Sequence, residues 1–188
     1  MASVMPFDEL NQFKTFTLPS YLDESGKVKS RKDEEDIIDE LLDLFLLAYA
    51  RGNSVTNESI TGDWIPSLED VMRVVDAEVA GKTWRQRVEE YFANGGTGDD
   101  IVRIAETETH RIANTSALET AKKDGATLKI WATMLDDKVR ETHDYLEGQT
   151  VGIDDDFYTF DGDHASAPGL FSLPENNVNC RCELIFWR

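Results

Sequence analysis

The fold of this chain is constrained first by a change of period at Gly125. Before it, apolar residues recur at the three-and-four spacing of helices; after it, they alternate. Four helical runs precede the change. The first covers residues 33–50. Ser30 stands ready as its N-cap, and Asp33, Glu34, Glu35 and Asp36 suit the positive end of a helix dipole. Its apolar face is Ile37, Ile38, Leu41, Leu42, Phe45 and Leu46, and Gly52 is the expected stop. A second run, 67–80, opens at Pro66-Ser67 and is expected to stop at Gly81. Thr83 and Gln86 have capping-box spacing and open a third run carrying Trp84, Val88, Tyr91 and Phe92, ended by Asn94-Gly95-Gly96. The fourth and longest run, 98–124, carries Ile101, Ile104, Ala105, Glu108, Ile112, Thr115 and Leu118 on one face.

Beyond Gly125, residues 127–134 alternate and predict a strand with Leu128, Ile130 and Ala132 on one face. Residues 136–146 predict a short helix with Val139 and Leu146 inward, closed by Gly148. A polar stretch, 148–177, reads as a long ordered loop with one short strand, and 180–187 as the terminal strand. Helices followed by a small strand-bearing module make the fold class α+β. The expected organisation is an irregular N-terminal arm over 1–32, broken by Pro6 and Pro19, a helical region over 33–96, and a C-terminal domain over 97–188.

Charge narrows the partners. The formal net charge is −18, and the basic clusters at 27–32 and 84–87 are short and diluted by acids. Such a chain repels a nucleic-acid backbone, so contact with DNA is expected only indirectly, and a basic protein surface is the better match. The first 20 residues lack a secretory pattern, and the most apolar stretch, 37–50, is too short and too charged to span a bilayer. Two cysteines one residue apart do not form a secreted disulfide framework, so synthesis in a reducing cytosol is expected and no membrane partner is.

The residues able to do chemistry crowd into the last third. Cys180 and Cys182 would face one side of a strand, spaced so that a disulfide between them is strained. Both thiolates could reach one zinc ion, with His143 and one of Asp137, Asp136, His110 or His164 completing four ligands. Two small thiols packed in a core is the reading the pair favours over a metal, since free cysteine is often buried. A cysteine nucleophile with His143 as base lacks any supporting motif. Asp137, Arg140 and His143 fall on one helical row, and Glu108 on the apolar face of the long helix would need a cationic partner if buried. A structural network therefore outweighs catalysis, and no catalytic residue is assigned. The sequence has no phosphate loop, HExxH helix or GxSxG elbow.

Read in order, these residues resemble the phage Mu F-like, or head-morphogenesis, family of minor head proteins. The resemblance is carried by 104–114 (Ile-Ala-Glu-Thr-Glu-Thr-His-Arg-Ile-Ala-Asn) and by Lys129-Ile130-Trp131-Ala132-Thr133. Asp137, Val139, Arg140, His143, Gly148, Phe157, Pro168-Gly169 and the closing Asn179-Cys180-Arg181-Cys182 continue it in order over about half of the chain. It implies a structural protein of the virion head or procapsid of a tailed phage or prophage, made in the host cytoplasm. It also implies association with the portal protein, the major capsid protein or scaffold near the packaging vertex. The positions it singles out are Glu108, Arg111, Asn114, Trp131, Asp137, Arg140, His143, Asn179, Cys180 and Cys182. Glu106 departs from the pattern, which carries a basic residue there. The alternative is an effector, or a nucleic-acid- or nucleotide-acting enzyme, carried in the head.

Overall fold

A computed structural model describes residues 8–188. The chain opens with α1 (Asp8–Gln12), a π-helical turn (Phe13–Thr17) and α2 (Leu18–Tyr21), so much of the segment expected to be an irregular arm is helical. Pro19 does not break it, because it sits in the first turn of α2, where no backbone N–H is required. The rest of that expected arm, residues 1–7, lies outside the described residues.

Two long helices set the architecture. α3 (Arg31–Ile60) is 30 residues long, and its N-cap Ser30 accepts from the Asp33 backbone N–H as the sequence suggests. It runs straight through Gly52, the expected stop. Gly52 is instead where α3 meets α6 (Gly98–Lys123): a Cβ there would lie 2.2 Å from the Ala113 carbonyl oxygen. The missing side chain lets two backbones touch. Beside it, Ser116 Oγ donates to the Tyr49 carbonyl at 2.8 Å, and Asn53 Nδ2 donates to Thr120 Oγ1 at 2.9 Å.

α4 (Leu68–Val75) and α5 (Trp84–Ala93) both open with capping boxes. α4 stops short of Gly81 because Arg111 reaches across from α6 and donates to the Val74 and Val75 carbonyls, at 2.9 and 3.2 Å. Groups left open at a helix end are thereby satisfied. The turn to α5 is made by Ala80 and Gly81, both at positive φ. Trp84, fully buried, meets Phe45 edge-on at 5.0 Å and donates from its indole N–H to Asp76. Around them Ile37, Leu41, Val88, Ile101, Ala105 and Ile112 form the first core.

The C-terminal module is built on an antiparallel sheet of order β2-β1-β5: β1 (Leu128–Ala132), β2 (Thr150–Gly152) and β5 (Glu183–Trp187). Leu128 pairs with Trp187 and Trp131 with Leu184. A separate hairpin, β3 (Phe157–Tyr158) and β4 (His164–Ala165), and two one-turn helices, α7 (Glu141–Asp144) and α8 (Pro174–Asn177), complete it. The expected helix over 136–146 is thus reduced to α7, and the expected loop over 148–177 holds β2, β3, β4 and α8. The inner face of β1 is the one opposite Leu128 and Ile130. Leu128 is exposed, while Lys129 and Trp131 are fully buried. Trp131 anchors the second core, with Phe157 and Phe171 at ring distances of 5.2 and 5.6 Å. Lys129 follows it inward because its ammonium donates to the Ser166 carbonyl at 2.9 Å and lies over the Phe157 ring. α6 contributes to both cores, Ile101 to Ala113 in the first and Leu118 in the second. The α+β class is as expected. Among the described residues no helix is long and apolar enough to cross a membrane.

Candidate functional site

The chemistry gathers where α7 and the approach to β5 meet α6. β5 begins only at Glu183, yet residues 180–182 already alternate: Cys180 and Cys182 are buried and Arg181 is exposed. Arg181 is held outside by a two-pronged pair with Asp136, at 2.6 and 2.8 Å. From α7, His143 enters the second core, its ring 5.4 Å from both Trp131 and Phe171. That packing aims Nδ1 at both sulfurs, 3.6 Å from Cys180 Sγ and 3.3 Å from Cys182 Sγ. The two cysteines are unpaired thiols.

The surroundings favour negative sulfur. The Cys182 backbone N–H donates to Cys180 Sγ at 3.5 Å. Cys180 is held well below the usual thiol range, first by a hydrogen bond from Cys182 and then, against the cost of burial, by His110 and His143. Cys182 is correspondingly pushed up, by Cys180 and by burial, because the pair shares a proton. Behind the sulfurs, His110 Nε2 lies 2.5 Å from the Cys182 carbonyl, which also accepts from Asn114 Nδ2 at 3.2 Å. Burial opposes a charge on His110, but the Cys180 sulfur and the Cys182 carbonyl shift its pKa upward overall. Next to the cluster is a space of about 10 Å³ bordered by Arg140, Asn179 and Arg181. It has room for about one water molecule.

Of the expected ligands, His143, Cys180 and Cys182 converge, with ligand atoms all within 4.8 Å of one another. Asp137 does not join them: it is exposed, because the chain there is an open turn and not the helix that would have aligned it with His143. Asp136 is committed to Arg181, and His164 sits on the surface hairpin beside Asp156.

The expected network divides in two. Glu108 and Arg111, both buried, pair at 2.7 Å, and Arg87 from α5 closes on the second Glu108 oxygen. Arg140 donates to the carbonyls of Glu175 and, at 2.6 Å, of Val178, fixing the loop before Cys180. Asn179 is exposed and turns that loop in the left-handed region at φ 56°. Asn114 and Trp131 are buried against the cluster as described. Glu106, the departure from the family pattern, pairs with Lys14 of the N-terminal helical segment.

Some organising residues gave no sequence signal of their role. Asp163 is buried and accepts from His164, Ser172, Leu173 and Asn176, tying β4 to α8. Burial acts to raise its pKa, but the hydrogen bonds from Asn176, Ser172 and Leu173 prevail and bring it to about 2. A cleft of about 490 Å³ also separates α5 and α6 from the 169–178 loop, with Tyr91, Ile104 and Val178 on its walls and Arg87 and Arg103 beside them. Both arginines already hold carboxylates.

A family model described as "Phage Mu protein F like protein" matches residues 63–185, and so covers the cleft, α6 and the whole cysteine–histidine module. Over 149 residues the chain is 30% identical to the NAD(+)--arginine ADP-ribosyltransferase EFV of Enterococcus faecalis (strain ATCC 700802 / V583), covering 61% of this chain and 30% of that protein. Over 85 residues it is 33% identical to Minor head protein GP7 of Bacillus phage SPP1, covering 44% of this chain and 28% of that protein. The matches thus span less than a third of either relative. No solved structure matches the chain significantly. With the match extending over most of its length and over every element of the site, the chain belongs to the phage Mu protein F-like family.

Proposed function

We propose that the chain is a structural minor head protein of a tailed phage or prophage, seated near the portal vertex and acting in head assembly and DNA packaging or ejection. Family membership, joined to the likeness to a phage minor head protein, is the observation that carries this reading. The internal chemistry is consistent with it. Arg111, Arg140 and Asp163 each hydrogen-bond to backbone groups of neighbouring segments, which is bracing. The partner-facing feature is charge: Glu35, Asp39, Glu40 and Asp43 line the exposed side of α3, in a chain of net charge −18. Such a face suits a basic surface on the portal ring, the capsid protein or scaffold, and keeps DNA at a distance.

The test is co-purification with the portal protein of the same phage, read by size exclusion with light scattering. A stable complex is expected, weakened by salt and by Asp39→Lys, Glu40→Lys and Asp43→Lys together. Two folded proteins that elute separately at low salt would refute placement at the portal and move the chain to the shell. The likeness to a named ADP-ribosyltransferase supports a second reading, an effector carried in the head. It is checked with NAD⁺ and an arginine-type acceptor, where the structural reading expects no transfer.

A further inference from the structure

We propose that His143, Cys180 and Cys182 bind one zinc ion through Nδ1 and the two sulfurs, with a fourth position that opens beneath Arg140 and Arg181 and is filled by water. Distances carry the argument. With Zn–N of about 2.0 Å and Zn–S of about 2.3 Å, tetrahedral geometry sets nitrogen and sulfur about 3.5 Å apart. The structure places Nδ1 3.6 and 3.3 Å from the two sulfurs. A single hydrogen bond explains one such approach, because Nδ1 carries one proton or one lone pair; it does not explain both sulfurs converging on it.

The surroundings fit a metal ion as well. All three side chains are buried, and the His143 ring is set by Trp131 and Phe171. The Cys182 N–H that donates to Cys180 Sγ offsets charge on a ligating thiolate. Held by His110 and Asn114, the Cys182 carbonyl fixes the backbone between the two sulfurs. Two thiolates balance a divalent ion, so the space beside it takes a small neutral ligand. At about 10 Å³ it admits water.

The full chain, purified without chelator or added metal, should contain one zinc per molecule by elemental analysis. Neither thiol should react with a disulfide reagent until the metal is removed. Cobalt(II) exchanged into the site should give the intense visible bands of four-coordinate cobalt together with a thiolate charge-transfer band. Cys182→Ser and His143→Asn should lower zinc content several-fold, whereas Asp137→Asn should keep one zinc per chain. Folded wild-type protein that stays metal-free after incubation with zinc, with both thiols reactive, overturns the site. Loss of zinc in Asp137→Asn overturns the ligand set, and the weak visible bands of six-coordinate cobalt overturn the four-coordinate geometry.

Discussion

Replacing Asp163 by Asn keeps size and burial while removing the charge on which β4 and α8 meet. Oδ1 accepts from His164 N at 2.9 Å, Ser172 N at 3.1 Å and Ser172 Oγ at 2.7 Å. Oδ2 accepts from Leu173 N at 3.0 Å and Asn176 Nδ2 at 3.1 Å. Whichever way the new amide is turned, its NH₂ faces at least two donors. Two hydrogen bonds to a charged acceptor are worth about 1.5–3 kcal/mol each. The same hydrogen bonds, acting against burial, take the pKa from 3.8 down to about 2. At 1.36 kcal/mol per unit that is about 2.4 kcal/mol. A loss of about 3 kcal/mol at pH 7 is therefore expected, a fall in Tm of roughly 6–12 °C for a domain of this size.

The pH dependence has a definite sign. A carboxylate whose folded pKa is depressed stabilises fully above its unfolded pKa, and that stabilisation is lost as pH falls through the folded value. The gap between wild type and Asp163→Asn should be constant from pH 7 to 5 and shrink by about 1 kcal/mol at pH 3. Urea unfolding of both proteins across this range is the assay. A gap absent at pH 7, or undiminished at pH 3, would refute the reasoning.

Gly52→Ala should cost about 2 kcal/mol net in thermal unfolding, although Ala alone favours a helix by about 1 kcal/mol, because the new Cβ meets the Ala113 carbonyl at 2.2 Å. Glu108→Ala leaves Arg111 buried without its carboxylate and should cost about 3–5 kcal/mol by urea unfolding. Lys129 is brought to about 8 from 10.5, chiefly by burial. Its charge therefore penalises folding most below pH 8, and the penalty is relieved as pH rises toward the unfolded value. Lys129→Met should raise stability by about 1–2 kcal/mol at pH 7, less the lost Ser166 bond, with an advantage that shrinks above pH 8; an unchanged Tm difference from pH 7 to 10 would count against it.

What sequence could determine here is local. The caps at Ser30, Ser67 and Thr83, the span of α6, the change to strand after Gly125 and the crowding of His143, Cys180 and Cys182 near one another all rest on interactions within a few residues or on side-chain type. Ordered motif residues along the chain also indicated the family that the comparison shows. Tertiary structure decided the rest, because the deciding contacts join distant segments. Gly52 reads as a helix stop until α6 is laid against it. α4 ends at Val75 because an arginine 36 residues away caps it. Alternation in β1 specified two faces without saying which is inner. Trp131 settled that by filling the space between His143, Phe157 and Phe171, and it carried Lys129 inward with it. Asp137 looked equivalent to His143 as a ligand only while a continuous helix was assumed; the open turn sends one outward and the other onto the sulfurs.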